Sequence, residues 1–244
     1  MKRQVTIMGM PVTVQIADGN ATEEDIQEVF AYFHYIDQKF STYKKDSEIS
    51  KINRGEINNA DYSNEMKKIL RLCEETKKET NGYFDINLNS ILDPSGIVKG
   101  YAIWQGSKIL EKKGYHDFYV EIAGDIQTFG KNERRGNWSV GIQNPFRPEE
   151  IIKIVKISNK GIATSGNYQR GKHILNPKSN LPADEIASIT IIGPNVYEAD
   201  RFATAAFAMG EKGIDFIERR KELEGYMVKN NKQAVMTSGF EKYL

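Results

Sequence analysis

The sequence predicts an α+β fold, a mixed and mainly antiparallel sheet with flanking helices, on two observations. Segments with helical periodicity cluster early and late in the chain, whereas short segments rich in β-branched and aromatic residues fill its centre. Glycine, asparagine and proline separate the central segments, as expected for strands joined by turns. The sequence contains no internal repeat, low-complexity tract or clear linker. We therefore expect residues 1–244 to form a single domain.

The helical segments carry recognisable start and stop signals. Thr22 precedes three acidic residues and is a good N-cap for a first helix. A second helix should end at Asn81 and Gly82, a typical C-cap pair. The predicted helices cover 23–36, 63–78, 97–114 and 198–209, followed by a polar helix that ends near Gly225.

The strand predictions rest on β propensity and on turn residues between the segments. Residues 4–16 should form a strand pair or one long strand, bent at Gly9 and Pro11. The small, hydroxyl-rich segment 161–168 is predicted to be a turn. The remaining predicted strands are 118–122, 126–129, 138–142, 151–157, 173–175, 187–192, 226–228 and 234–236.

Composition excludes several classes of protein. A 39% hydrophobic fraction supports a packed core, and 34 basic against 33 acidic residues argue against nucleic-acid binding. A lone cysteine, Cys73, excludes an intrachain disulfide and a four-cysteine zinc site, and its helical spacing predicts a buried apolar contact. No apolar run is long enough for a transmembrane segment. As written, the sequence predicts a cytoplasmic protein, although removal of an export signal would leave the same sequence in an extracytoplasmic one.

Three segments carry residues suited to chemistry. Segment 93–100 opens a helix, where backbone amides favour anions, but taken alone it is more typical of a capped helix with a basic first turn. His173 lies among polar, turn-forming residues and could act as a general base. Asp200 and Thr204 are four residues apart on one helical face and offer oxygen ligands suited to Mg²⁺. The same pair is also typical of an acidic helix start and a threonine packed between alanines.

Taken in order along the chain, these segments resemble the ApbE family, the FAD:protein FMN transferases, from about Met8 to about Ile217. No single motif is specific for the family, but the complete series of motifs in the family's order is hard to attribute to chance. The matching segments are 8–10, 41–43, 47–53, 82–85, 93–102, 123–125, 163–166, 173–177 and 199–205.

The resemblance implies an ApbE-like (T-fold-like) domain that uses FAD as a substrate and Mg²⁺ as a cofactor. Its partner would be an acceptor protein with a Ser/Thr flavinylation motif. By the same resemblance, His173 is the catalytic base, and the metal ligands are Asp200, Thr204 and the backbone carbonyl of Gly96. The positions implied to bind FAD are Met8, Tyr43, Tyr83, Phe84, Asp85, Asp93, Lys99 and Ile174.

The residue types fit this chemistry. A bound Mg²⁺ neutralises charge on the FAD diphosphate, and a histidine with an ordinary pKa of about 6.5 can take the proton of a hydroxyl near neutral pH. Two other functions remain open for the same site. One is an FAD pyrophosphatase that produces FMN and AMP, and the other is a protein that binds FAD without catalysis. A ligand-free α+β domain is a fourth interpretation, which the motif series disfavours.

The sequence departs from the family pattern at a few positions. Asn176 and Asn167 stand where the family usually has aspartate, and Ser179 and Asn180 replace a usual Thr-Gly pair. Ala203 occupies a position that is a second aspartate in some members. Only residues 86–92 join two motifs that most members separate by a longer stretch, so we expect one wall of the pocket or part of the docking surface to be reduced.

Overall fold

The computed structural model describes residues 1–88, 91–167, 171 and 174–244. Its strands are β1 (Lys2–Ile7), β2 (Met10–Ile16), β3 (Asn87–Leu88), β4 (Ile91–Leu92), β5 (Phe118–Ile122), β6 (Asp125–Phe129), β7 (Trp138–Asn144), β8 (Arg147–Ile157), β9 (Gly161–Gly166), β10 (Leu175–Asn176), β11 (Leu181–Pro182), β12 (Ile186–Gly193), β13 (Glu224–Lys229) and β14 (Ala234–Met236). Eight strands form the main sheet in the order β1-β2-β5-β6-β9-β12-β13-β14. Neighbouring strands of this sheet run antiparallel in the described residues, which confirms the predicted fold class.

The helices pack mainly on one face of this sheet. They are α1 (Glu23–Phe40), α2 (Glu48–Asn53), α3 (Asn64–Glu79), α4 (Ser95–Lys112), α5 (Val196–Ala208) and α6 (Gly213–Glu218). Among the described residues, no helix combines the length and apolar character that crossing a bilayer requires.

Side-chain caps determine where three of the helices begin. The Thr22 hydroxyl accepts a hydrogen bond from the Asp25 backbone amide, as the sequence predicted for α1, and the Ser63 hydroxyl accepts one from the Met66 amide at the start of α3. The side chain of Asn195 caps α5 by accepting from the Glu198 amide. Because of this cap, α5 begins at Val196, two residues before the predicted start.

Apart from the start of α5, two predicted elements differ from the structure in type or in length. Residues 161–166, predicted as a turn, form the central strand β9 between β6 and β12. Position 161 requires glycine, because a Cβ there would lie 1.9 Å from the backbone nitrogen of Val196. The polar helix predicted to end near Gly225 is the shorter α6, and β13 already begins at Glu224.

Three apolar clusters hold the layers together. The first packs β2 and β5 against α1, α3 and α4, and it includes the buried Cys73. The second packs α5 and α6 against β9 and β12. The third lies against the other side chains of β9, β12 and β13, where it is formed by the β7–β8 hairpin and the C-terminal residues Phe240 and Tyr243. The sheet is therefore covered on both faces at its centre.

Candidate active site

Two tight turns lie along one cleft. Met8 and Gly9 connect β1 to β2, and Ala123 and Gly124 connect β5 to β6, each pair with positive φ at both positions. Such two-residue turns match the twist of a β-hairpin. A positive φ is unusual for methionine and alanine and marks a constrained backbone, which occurs often at functional sites. Both turns line the cleft.

The close contact between α4 and α5 forms the floor of this cleft. A Cβ at Gly100 would lie 2.6 Å from Asp200 Cβ, and a Cβ at Gly96 would lie 3.3 Å from Thr204 Cγ2 and 3.7 Å from Thr204 Oγ1. Glycine at both positions therefore lets the first turns of α4 approach the side chains of α5. The structure thus brings together Gly96, Asp200 and Thr204, the three positions implied to bind metal.

Asp200 is buried and fixed in orientation. Its Oδ2 accepts a 2.8 Å hydrogen bond from the Gly100 backbone amide, and its Oδ1 lies 3.7 Å from Lys99 Nζ. Burial raises the pKa of this carboxyl to about 7; the Lys99 ammonium opposes the increase and the nearby Asp125 carboxylate adds to it. A nearby cation would therefore stabilise the charged form of this buried carboxyl.

Asp125, the first residue of β6, completes the charged cluster. Its side chain is 1% exposed, and Oδ1 accepts a 3.0 Å hydrogen bond from the Thr164 amide of β9. Its Oδ2 lies 2.5 Å from Lys99 Nζ. Lys99 therefore stands between two buried carboxylates, closer to Asp125 than to Asp200.

The cleft has a volume of about 1490 Å³ and extends from these helices around the β5–β6 turn to the β7–β8 hairpin. The residues implied to contact FAD or metal converge on it from distant parts of the chain. Those that line it are Met8, Tyr43, Tyr83, Phe84, Asp85, Asp93, Gly96, Lys99, Ile174, Asp200 and Thr204.

These residues differ in how firmly they are held. Phe84 is buried and its backbone amide donates to the hydroxyl of Thr80 at the end of α3, whereas Tyr43 is 99% exposed at the edge of the cleft. Asp93 accepts a hydrogen bond from the Ser95 amide at the start of α4. The predicted catalytic residue His173 lies outside the described residues, as does part of the predicted strand 173–175; Leu175 itself belongs to β10.

The donor atoms at the α4–α5 contact fit Mg²⁺. Asp200 offers a carboxylate and Thr204 a hydroxyl, and the Gly96 backbone lies beside that hydroxyl. The described residues contain no group of three or more His, Cys, Asp and Glu side chains arranged to hold a metal ion. Mg²⁺ commonly uses one or two protein carboxylates together with waters and substrate phosphates, so it does not need such a cluster.

Sequence reasoning missed several residues that shape the cleft. In the sequence Asp125 is only part of the turn motif 123–125, whereas in the structure its carboxylate forms an ion pair with Lys99 and contributes to the charge of the site. The far wall comes from the β7–β8 hairpin, where Ile151 and Ile154 are exposed to the cleft. No local pattern in the sequence signals that this hairpin leaves the main sheet.

Comparison with known proteins places this cleft in a family. The sequence model of the ApbE family matches residues 8–93 and 89–227. The FAD:protein FMN transferase of Haemophilus influenzae is 25% identical over 92% of this chain and 86% of its own length. The Salmonella typhimurium enzyme of the same name is 29% identical, over 56% of this chain and 42% of its own length.

Solved structures establish the same fold. The flavin transferase ApbE from Vibrio cholerae superposes with a TM-score of 0.86 at 20% identity, covering 100% of this chain and 99% of its own. The ApbE protein of Thermotoga maritima gives a TM-score of 0.89 at 20% identity, covering 100% and 98%. Since the two matches of the family model together cover all of residues 8–227, most of the 244 residues, the chain belongs to the ApbE family.

Proposed function

We propose that this protein is a Mg²⁺-dependent FAD:protein FMN transferase that moves FMN from FAD onto a Ser or Thr hydroxyl of an acceptor protein and releases AMP. The observation that carries the proposal is the convergence of family-motif residues from Met8 to Thr204 on one cleft with an oxygen-rich floor. The main sheet takes strands from Lys2 to Met236, which supports treating residues 1–244 as one transferase domain.

Each end of the cleft has a distinct role in this proposal. Asp200, Thr204 and the Gly96 backbone would hold Mg²⁺, which supplies charge neutralisation at the FAD diphosphate when bound. Lys99 lies beside them with its ammonium in the cleft, where a phosphate can reach it. The aromatic, aliphatic and acidic side chains assigned to FAD are Met8, Tyr43, Tyr83, Phe84, Asp85, Asp93 and Ile174.

The reaction breaks the phosphoanhydride bond of FAD and forms a phosphoester bond to the acceptor. The acceptor hydroxyl oxygen bonds to the FMN phosphorus, the bond from that phosphorus to the bridging oxygen breaks, and AMP leaves with the bridging oxygen. The hydroxyl proton passes to His173, which we assign as the general base from its place in the motif series. General-base catalysis typically contributes about 10²–10⁴-fold in rate.

Mass spectrometry tests the proposal directly. The protein is incubated with FAD and MgCl₂, together with a peptide that carries a Ser/Thr flavinylation motif or the same peptide with that residue replaced by alanine. We expect the first peptide alone to gain the mass of FMN less one water, and we expect no such gain when EDTA removes the metal. AMP and FMN without any adduct would indicate a pyrophosphatase, and FAD binding without turnover would indicate a carrier.

Two variants separate the roles of the residues. Asp200→Asn should abolish Mg²⁺-dependent transfer while the far-ultraviolet circular dichroism spectrum stays unchanged. His173→Ala should slow transfer by about 10²-fold or more while FAD affinity changes little. Wild-type turnover in either variant would remove the corresponding assignment.

A further inference from the structure

We propose that Asp125 is a positioning residue, whose carboxylate holds the Lys99 ammonium away from Asp200 and so keeps Asp200 available to a divalent cation. The inference rests on the proposed function, since that function assigns the cation to Asp200 and Thr204. It adds a residue that neither the motif roles nor the metal ligand set includes.

The sheet fixes the Asp125 carboxylate. Asp125 follows the Ala123-Gly124 turn at the start of β6, and its Oδ1 accepts a 3.0 Å hydrogen bond from the backbone amide of Thr164 on the neighbouring strand. The Thr164 hydroxyl in turn lies 2.8 Å from the hydroxyl of Thr190 on β12. Three adjacent strands therefore determine where this carboxylate points.

The other oxygen of Asp125 is directed to Lys99. Asp125 Oδ2 is buried and accepts no hydrogen bond of good geometry, and its contact with Lys99 Nζ at 2.5 Å is an ion pair. The distance from Lys99 Nζ to Asp200 Oδ1 is longer, 3.7 Å. Coulomb attraction falls with distance and is strong where water is excluded, so the Lys99 ammonium is attracted more strongly to Asp125 than to Asp200.

Lys99 would otherwise compete for the metal site. Asp200 Oδ2 is engaged by the Gly100 amide, so Oδ1 is the oxygen that faces Lys99. A lysine ammonium is a compact charge on a flexible stem and can move to a neighbouring carboxylate. If Asp125 loses its charge, the ammonium should shift to Asp200 Oδ1 and weaken cation binding there.

The test titrates the FAD-free protein with MgCl₂ by isothermal titration calorimetry. Asp125→Asn keeps the shape of the side chain and an oxygen for the Thr164 amide, and it should weaken Mg²⁺ binding by about 10–100-fold, as loss of residues that orient metal ligands commonly does. The double variant with Asp125→Asn and Lys99→Met should regain most of the lost affinity, because the competing ammonium is gone. A residue with a merely structural role would not be rescued in this way.

Asp117→Asn is the matched control. Asp117 forms a 2.8 Å ion pair with Arg135 and does not line the cleft, so the same substitution there should leave Mg²⁺ affinity unchanged. Lys99→Met alone, with Asp125 retained, should bind Mg²⁺ at least as tightly as the wild type, which tests the competition even if Asp125→Asn fails to fold.

The outcomes distinguish the inference from the proposed function. If the wild type binds no Mg²⁺, the metal assignment fails and the inference fails with it. If the wild type binds Mg²⁺ and Asp125→Asn binds it equally well, the inference alone is overturned. It is also overturned if the double variant binds as weakly as Asp125→Asn, because Asp125 would then act on the ion directly, or if Lys99→Met weakens binding.

Discussion

Replacing Gly100 with alanine tests the helix contact that forms the floor of the cleft. The new Cβ would lie 2.6 Å from Asp200 Cβ and 2.9 Å from both Asp200 Oδ2 and the Val196 carbonyl oxygen. Ordinary carbon contacts lie at about 3.5–4.0 Å, so α4 and α5 must separate by about 1 Å. This movement also breaks the hydrogen bond from the Gly100 amide to Asp200.

The magnitude follows from three effects. Overpacking costs about 1–3 kcal/mol, and loss of a hydrogen bond to a charged group costs about 1.5–3 kcal/mol. The higher helix propensity of alanine stabilises α4 by about 1 kcal/mol and offsets part of this loss. We expect Gly100→Ala to lower the free energy of unfolding by about 1.5–5 kcal/mol in urea denaturation. It should also weaken Mg²⁺ binding by about tenfold or more, since it displaces the carboxylate that we propose as a metal ligand.

Two controls identify the cause. Gly106→Ala places a Cβ 2.7 Å from the Phe33 ring, so it should destabilise the protein to a similar extent but leave Mg²⁺ affinity unchanged. Gly19→Ala meets no atom within 4 Å and should be nearly neutral. Wild-type stability and Mg²⁺ affinity in Gly100→Ala would refute the reasoning, because the α4–α5 contact would then not be as close as described.

Three further predictions concern single side chains. Burial raises the pKa of Asp200 to about 7, so Mg²⁺ affinity should fall by about tenfold per pH unit below that value in calorimetric titrations. The metal-free protein should instead lose stability as the pH rises from 3.8 through about 7, because the buried carboxyl then becomes charged. A Mg²⁺ affinity that does not depend on pH would contradict the raised pKa on which both expectations rest. Cys73 is 2% exposed and burial raises the pKa of its thiol to about 12, so it should react with a thiol reagent only after denaturation, and rapid native labelling would contradict its burial. Arg201→Met removes the ion pairs to Glu198 at 2.7 Å and to Glu79 at 3.1 Å. Because both glutamates remain partly exposed, the free energy of unfolding should fall by only about 1–3 kcal/mol in urea denaturation. An unchanged denaturation midpoint would mean that these ion pairs contribute nothing to stability.

Local signals in the sequence were sufficient for the helices that have clear caps. Thr22 and Ser63 each cap their helix through the side chain, and the apolar faces of α1 and α3 follow at helical spacing. The start of α5 was misplaced because its cap is Asn195, within a Gly-Pro-Asn segment that also suits a turn. The convergence of the motif residues on one cleft followed from the family resemblance and not from periodicity.

Long-range contacts explain what the sequence did not reveal. Strand β9 was predicted as a turn because its small residues lack the alternation of a half-buried strand; it is covered on both faces, and Gly161 must leave room for the start of α5. The pairing of Asp125 with Lys99 was also hidden. Nothing local to either residue shows that a turn between strands and the first turns of a helix meet.

The β7–β8 hairpin has a consequence for how such a protein can diversify. It contributes no pairing to the eight-stranded sheet among the described residues and joins the chain between β6 and β9, which already pair with each other. Its strands can therefore lengthen, shorten or be exchanged without shifting the register of the sheet that orients Asp125 and Thr164. This wall of the cleft can thus change in sequence and length while the contact between α4 and α5 keeps its geometry.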